Sequence, residues 1–164
     1  MVRTSMQSEP EIIDFLNELL TSELTAINQY FIHYRMAEHQ GYKTIAHKKR
    51  EESIEEMKHA DAVIDRILFL DGTPNMQRLS PVRVGEDPLE MNKLDLDLEL
   101  EAVKRLHRGI ALMIAKGDHG TRELLDRILK EEEESVDWLE TQISIVKDIG
   151  REHYLAQNLK GSSS

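Results

Sequence analysis

Residues 51–70, EESIEEMKHADAVIDRILFL, decide the fold of this chain. Val63 and Ile67 recur at the spacing of one helical face, which predicts an amphipathic helix. Glu56 and His59 are three residues apart and lie on that same apolar face. Because a charged side chain is costly to bury alone, this face must meet a compensating group elsewhere in the chain.

Breaker residues on either side of this stretch divide the chain into four long helices and one short helix. Gly41, the turn at 71–74, Gly117 and Gly150 are the breakers that separate them. Residues 8–11, SEPE, have the spacing of a capping box at the first helix. We expect helices over about 9–40, 42–70, 88–117 and from the turn at 118–121 to 150, with a short helix over 151–159. Residues 1–8 are expected to be a flexible extension, 9–160 the bundle and 161–164 a disordered tail.

The lengths of the connections predict how the helices are arranged. The turns near Gly41 and Gly117 are too short for anything but antiparallel neighbours. Residues 71–87 could reach about 56 Å when extended, so they can cross the length of a bundle. Residues 94–101, LDLDLELE, alternate with the period of a strand, but Leu, Asp and Glu are poor strand formers and a helical stripe passes through them. We therefore predict an all-α four-helix bundle with one long crossover and a short fifth helix.

Composition narrows the possible functions. A chain of 164 residues suits one domain. The absence of cysteine excludes disulfides, thiolate zinc sites, iron–sulfur clusters and cysteine nucleophiles. A formal net charge of -10 disfavours nucleic acids and anionic membranes as partners and favours cations. We find neither a signal peptide nor a membrane span in the sequence, so we expect a cytoplasmic location.

Each of the four long helices carries one glutamate on its otherwise apolar face. The inward carboxylates belong to Glu23, Glu56, Glu99 and Glu132. The first pair and the second pair are each 33 residues apart, which gives the two halves of the chain matching registers. A Glu from each of two helices, with Glu-x-x-His from the others, is the pattern known for di-iron or di-manganese sites in such bundles. Single glutamates on helices are usually solvated. Taken together, however, these four and His59 are our candidate metal ligands and catalytic residues.

Ser135 departs from this pattern. The internal repeat carries Glu56 and His59 onto Glu132 and Ser135, so serine stands where a second histidine is expected. A hydroxyl is a weak metal ligand. The neighbouring glutamates at 131, 133 and 134 point about 100° to 200° away around the helix. One metal position is therefore complete, whereas the second, with Glu99 as its only terminal ligand, is expected to be impaired.

Four segments closely resemble the bacterioferritin family: residues 22–31 (SELTAINQYF), 52–61 (ESIEEMKHAD), 66–72 (RILFLDG) and 137–141 (DWLET). The likeness spans about residues 6–159. It implies a ferritin-like bundle, a hollow cage of 24 subunits that stores iron, and a di-iron centre that oxidises Fe(II) with dioxygen or peroxide. It also implies haem b held between two methionines at each dimer two-fold, with Met57 matching that ligand. Met57 lies about 100° around its helix from the metal face, where a dimer contact is plausible.

Further features follow from the resemblance. Glu51 and Glu55 stand where some relatives have a histidine and an aspartate near the inner surface of the cage. Tyr30 and Trp138 match family aromatics that are possible electron donors, although each could equally be a core-packing residue. The family includes organisms with two subunit types, one bearing haem and lacking a complete oxidation centre. Met57 with Ser135 fits that type.

We therefore expect a haem-bearing iron-storage subunit with weak or no ferroxidase activity. Its partners would be a competent bacterioferritin subunit in a mixed cage and a ferredoxin-type redox protein that delivers electrons for iron release. A homomeric cage and a fully active ferroxidase remain open. A stand-alone redox enzyme, such as a manganese catalase or a rubrerythrin-like peroxidase, is less favoured, and a purely structural bundle would bind no metal.

Overall fold

The computed structural model describes residues 9–160, and these form five helices without any strand. The helices are α1 (Pro10–Gln40), α2 (Lys43–Phe69), α3 (Pro88–Lys116), α4 (His119–Ile149) and α5 (Arg151–Gln157). The predicted all-α bundle with a short fifth helix is confirmed, and the strand-like segment 94–101 is helical. The predicted extension at 1–8 and tail at 161–164 lie outside the described residues. Within the described part, no helix has the length and hydropathy needed to cross a bilayer.

The helix ends follow local signals in the sequence. Gly41 and Gly117 end α1 and α3 with φ of 93° and 73°, a left-handed conformation that costs glycine little. The Asp87 side chain caps α3 by accepting a 3.0 Å hydrogen bond from the Glu90 N–H. Asp118 accepts one from the N–H three residues on, so α4 begins at His119, inside the segment predicted as a turn.

The beginning of α1 differs from its prediction. The residue at the N-cap is Glu9, whose side chain makes no capping hydrogen bond. The predicted capping residue, Ser8, lies outside the described part of the chain. Pro10 occupies the first turn, where its fixed φ suits a helix and its missing N–H leaves no donor unsatisfied.

The helices pack as two hairpins, α1 with α2 and α3 with α4. The hairpins meet where α1 contacts α3 and α2 contacts α4, and α5 packs on α4. One apolar cluster, with Leu16, Leu20 and Ile67 among its members, fills one part of the bundle, and a smaller one contains Ile45 and Tyr154. Along each long helix, buried polar residues lie between the residues that belong to one apolar cluster and those that belong to the other.

A polar stripe along α1 binds the crossover between α2 and α3. Five α1 side chains at four-residue spacing each form a hydrogen bond to it, of 2.7 to 3.2 Å. From one end to the other these pairs are Asn17 with Asn75, Thr21 with Arg78, Thr25 with Ser80, Gln29 with Arg83 and His33 with Gly85. The crossover therefore runs along α1, as the length of this segment predicts, and it brings α3 back beside α1.

Candidate metal centre

Four glutamates and one histidine, one glutamate from each long helix, meet inside the bundle. The relative exposures are 1% for Glu23, 2% for Glu56, 5% for His59, 0% for Glu99 and 1% for Glu132. One potential ligand atom from each of Glu23, Glu56, His59 and Glu132 lies within 4.8 Å of the others. All five residues singled out by the sequence pattern therefore occupy the buried layer of the bundle.

The atoms that face one another here lack ordinary partners. His59 Nδ1 lies 3.0 Å from Glu132 Oε1 and 3.5 Å from Glu23 Oε2, but neither contact has hydrogen-bond geometry. Within residues 9–160, these three atoms and Glu99 Oε2 are buried without a hydrogen bond. Because buried polar atoms are rarely left unpaired, the arrangement fits a bound cation.

Charge repulsion and burial together shift the titration of these groups. Burial raises the pKa of Glu23, and it raises the pKa of Glu56 and Glu99 well above the ordinary value, with help from neighbouring carboxylates. Burial, reinforced by the charge of Glu56, raises the pKa of Glu132 to about 7. Burial alone would lower the pKa of His59, but the surrounding carboxylates outweigh it and raise that pKa. A multivalent cation would compensate this excess of negative charge.

The outer nitrogen of the histidine has its own partner. Glu131 Oε2 contacts His59 Nε2, and the Glu131 side chain is half exposed. A carboxylate at Nε2 favours the proton on that nitrogen, which leaves the Nδ1 lone pair free to face the cluster. The helical period predicted that Glu131 points away from the metal-facing side of α4, but its carboxylate contacts the imidazole of His59.

Ser135 faces a second group of carboxylates. Its hydroxyl donates a 2.9 Å hydrogen bond to Glu52 Oε2, and one potential ligand atom from each of Glu52, Glu56 and Glu99 lies within 4.8 Å of the others. The sequence pattern predicted Glu99 as the only terminal carboxylate at this position and did not identify Glu52. The signal was present, because Glu52 precedes Glu56 by four residues and so shares its helical face.

Of the two aromatic candidates, Tyr30 contacts this centre directly, whereas Trp138 contacts Lys49. Tyr30 is buried, and its hydroxyl donates a 2.7 Å hydrogen bond to Glu99 Oε1. Lys49 Nζ lies 5.7 Å from the centre of the Tyr30 ring and 5.4 Å from that of Trp138. Lys49, which is fully buried and contacts both rings, was not identified from the sequence pattern.

A buried ion pair compensates this lysine. Lys49 Nζ lies 2.8 Å from Asp95 Oδ2, and His33 Nδ1 lies 2.9 Å from Asp95 Oδ1. Burial raises the pKa of Asp95, but Lys49 and His33 outweigh it and hold that pKa below its usual value. Asp95 lies four residues before Glu99 on the same face of α3, a signal that could have identified it.

The remaining predicted residues lie nearer the surface. Met57 is 51% exposed on the outside of α2. Glu51 pairs with His47 at 2.8 Å, and Glu55 pairs with Lys58 at 3.1 Å. These positions agree with the helical angle that separates Met57 from the metal-facing side of α2.

A partly open cavity of about 260 Å³ leads from the surface to the centre between α2 and α4. It reaches His59 and Ser135, and its other lining side chains are Lys48 and five glutamates. The five are Glu52, Glu55, Glu56, Glu131 and Glu134. A path lined by carboxylates attracts cations and repels anions.

Comparison with known proteins agrees with this geometry. Residues 13–149 match the Ferritin family, described as a Ferritin-like domain. The chain is 50% identical over 151 residues to a bacterioferritin of Streptomyces coelicolor, covering 92% of this chain and 90% of the relative. It is 47% identical over 152 residues to a bacterioferritin of Mycobacterium leprae, covering 93% and 96%. For one from Brucella melitensis the values are 43% over 149 residues, covering 91% and 92%. The chain therefore belongs to the bacterioferritin family, whose members carry a ferritin-like domain.

Proposed function

We propose that this chain is an iron-storage subunit that binds iron at the buried cluster of Glu23, Glu56, His59, Glu99 and Glu132. The observation that carries the proposal is the set of buried, unpaired oxygen and nitrogen atoms that converge within the bundle. Storage of iron is also the function that family membership supports. Carboxylates with one imidazole suit iron or manganese.

Iron is here both cargo and substrate. Each Fe(II) that becomes Fe(III) gives up one electron, and dioxygen or peroxide accepts it. In this chain Glu23 and His59 would hold one ion, and Glu56 and Glu132 would be shared with the second. Glu131 would keep the imidazole oriented with Nδ1 inward. Tyr30 and Trp138 are proposed as additional electron donors, since Tyr30 donates a hydrogen bond to Glu99 and Lys49 contacts both rings.

The ferroxidase centre of this subunit is proposed to be weak. Ser135 supplies no imidazole to the second position, and imidazole is the stronger ligand for Fe(II). A mixed cage with a fully competent bacterioferritin subunit would supply the missing oxidation activity. The alternative is a fully active ferroxidase that works in a homomeric cage.

Haem b is proposed to bind at Met57. A thioether is an established axial ligand of haem iron, and the side chain is half exposed on the outer surface of α2. A second copy of the chain could therefore present the same residue, as the family resemblance implies. Haem held at Met57 would supply an electron-transfer route for iron release, and a ferredoxin-type protein would supply the electrons.

Assembly and location remain predictions. We propose a shell of 24 chains, which at 19.0 kDa each amounts to about 450 kDa. A cytoplasmic location stays a prediction from the sequence. A stand-alone di-metal redox enzyme would instead form a small oligomer.

One purification tests the proposal. The full chain, expressed alone, should elute as a large shell on a sizing column and should show a bis-methionine haem spectrum. Added Fe(II) in air should be oxidised slowly and retained inside the shell. A small, colourless oligomer that retains no iron would contradict storage. Rapid oxidation of two irons per subunit would contradict only the weak ferroxidase centre.

A further inference from the structure

We propose that Glu52 is a metal ligand that replaces the imidazole absent at Ser135. The second metal position would then be held by carboxylates alone, from Glu52, Glu56 and Glu99 together with the shared Glu132. This inference rests on the proposed function, because it assumes that the buried cluster binds metal. It goes further by naming a ligand for the incomplete position.

Side-chain placement supports this role. Glu52 and Glu56 are four residues apart on α2, so both side chains leave the same face of that helix. Each of these residues offers a carboxylate oxygen within 4.8 Å of one from Glu99. Three ionised carboxylates so close together repel one another, and a cation among them would relieve that repulsion.

An independent observation comes from Glu99. Its Oε1 accepts the Tyr30 hydrogen bond, whereas its Oε2 is buried without any hydrogen bond within residues 9–160. Glu99 has 0% relative exposure, so solvent does not satisfy the second oxygen. An unpaired, fully buried oxygen in this three-carboxylate group indicates a missing ligand, and a cation is what such an oxygen binds.

Ser135 and Lys48 orient the Glu52 carboxylate. The Ser135 hydroxyl donates to Glu52 Oε2 at 2.9 Å, and Lys48 Nζ lies 3.1 Å from Glu52 Oε1. The Glu52 side chain that receives both contacts is buried and lines the cavity. Serine is thus a positioning residue: it is small enough to leave room for Glu52 and donates a hydrogen bond that holds it.

The two positions would differ in chemistry. The first has the imidazole of His59 together with carboxylates, whereas the second has oxygen ligands alone. An all-oxygen set prefers hard cations, such as Mn(II) or Fe(III), over ions that favour nitrogen. We therefore expect two binding sites of unequal affinity in each subunit.

The test counts Mn(II) bound to the full-length, metal-free assembly, with free Mn(II) measured by electron paramagnetic resonance. The unaltered protein should bind two ions per subunit in the cluster. Glu52→Gln should weaken the second site by roughly tenfold or more while leaving the first within a few-fold. Glu55→Gln is the matched control, since Glu55 lines the same cavity outside the cluster. It should retain both sites.

Glu52→Asp and Ser135→Ala extend the test in case Glu52→Gln disturbs folding. The shorter carboxylate should weaken the second site but keep it, and removal of the serine hydroxyl should weaken it by a few-fold. Unchanged binding of two ions in all Glu52 variants would overturn the role of Glu52. A single ion per subunit in the unaltered protein would also overturn it, while leaving the first position and iron storage intact. Binding of no ion would overturn the metal centre itself.

Discussion

The hydroxyl oxygen of Ser135 lies 2.9 Å from Oε2 of Glu52. Ser135 occupies the position in α4 that corresponds, by the internal repeat, to His59 in α2. The hydroxyl and the carboxylate together occupy the side of the centre where the repeat predicts an imidazole. At the position where the repeat predicts an imidazole, the structure therefore has a serine hydroxyl that donates a hydrogen bond to a carboxylate of α2.

Ser135→His should increase the initial rate of Fe(II) oxidation. Imidazole is a stronger ligand than a hydroxyl, and ligand changes of this kind commonly alter metal affinity or activity by roughly 10–100-fold. Stopped-flow absorbance after aerobic addition of Fe(II) measures the rate. Ser135→Ala is the control and should show no increase. Equal rates for the histidine variant and the unaltered chain would mean that Ser135 does not limit oxidation.

Met57→Leu should abolish haem binding while leaving iron binding unchanged. Leucine keeps the apolar surface but lacks the sulfur that ligates haem iron. The ratio of Soret absorbance to protein, after reconstitution with haem b, measures occupancy. Met76→Leu is the matched control, because Met76 is 55% exposed in the crossover and should retain full haem. Normal haem content in Met57→Leu would assign the ligand to another residue.

Binding of Mn(II) should release more protons at pH 6 than at pH 8. The buried carboxylates have raised pKa values, that of Glu132 reaching about 7, so they retain more protons at the lower pH. Metal affinity should increase with pH for the same reason. Titration in weakly buffered solution with a pH indicator measures the release.

The same shifts predict how stability depends on pH in the metal-free protein. A carboxylate whose pKa rises on folding binds more protons in the native state, so unfolding becomes easier as pH increases from about 4.5 to 7. Bound metal should remove this loss. Glu132→Gln is the control and should reduce both the proton release and the pH slope. If the thermal midpoint of the metal-free protein did not change with pH, the raised pKa values of the buried carboxylates would be contradicted.

Lys49→Met should lower the free energy of unfolding by about 3–5 kcal/mol at pH 7, because it leaves the Asp95 carboxylate buried without its main cation. The pKa of Asp95 lies below its ordinary value of 3.8, so the paired carboxylate stabilises the fold at pH values above 3.8. This stabilisation is lost as pH falls through the lowered pKa. The deficit should therefore be complete at pH 7 and should shrink only as pH falls below 3.8. Thermal unfolding at pH 7 and at pH values below 3.8 measures it.

Two further variants qualify that result. Lys58→Met, on the exposed side of α2, should cost less than about 1 kcal/mol, since exposed ion pairs contribute little. The double variant Lys49→Met, Asp95→Leu should recover part of the loss, because it removes the unpaired charge. A pH-independent deficit in Lys49→Met would indicate lost packing around Tyr30 and Trp138.

Several features of the fold were predictable from the chain alone because their causes are local. Gly41 and Gly117 end helices through a backbone conformation that few other residues adopt. Asp87 caps α3 through a hydrogen bond three residues away. The apolar face of each helix requires burial, and the length of residues 71–87 sets how far the crossover reaches. These signals together produce the bundle and its connectivity.

Only the tertiary structure decided which other polar side chains reach the centre. Glu52 and Asp95 share a helical face with predicted ligands, but so do polar residues that stay solvated. Whether such a residue is buried depends on how far each helix is rotated toward its neighbours. The backbone of Glu131 lies off the metal-facing side of α4, but its side chain is long enough for the carboxylate to contact His59.

The sequence by itself determined that four glutamates and His59 must be buried together, because a charge on an apolar face has no stable place except beside a compensating group. The packing of α2 against α4 determined what surrounds them: Ser135 beside Glu52, and Glu131 beside His59. The physical reason is the separation along the chain over which each effect acts. Helical periodicity acts over a few residues, whereas these contacts join side chains 83 and 72 residues apart.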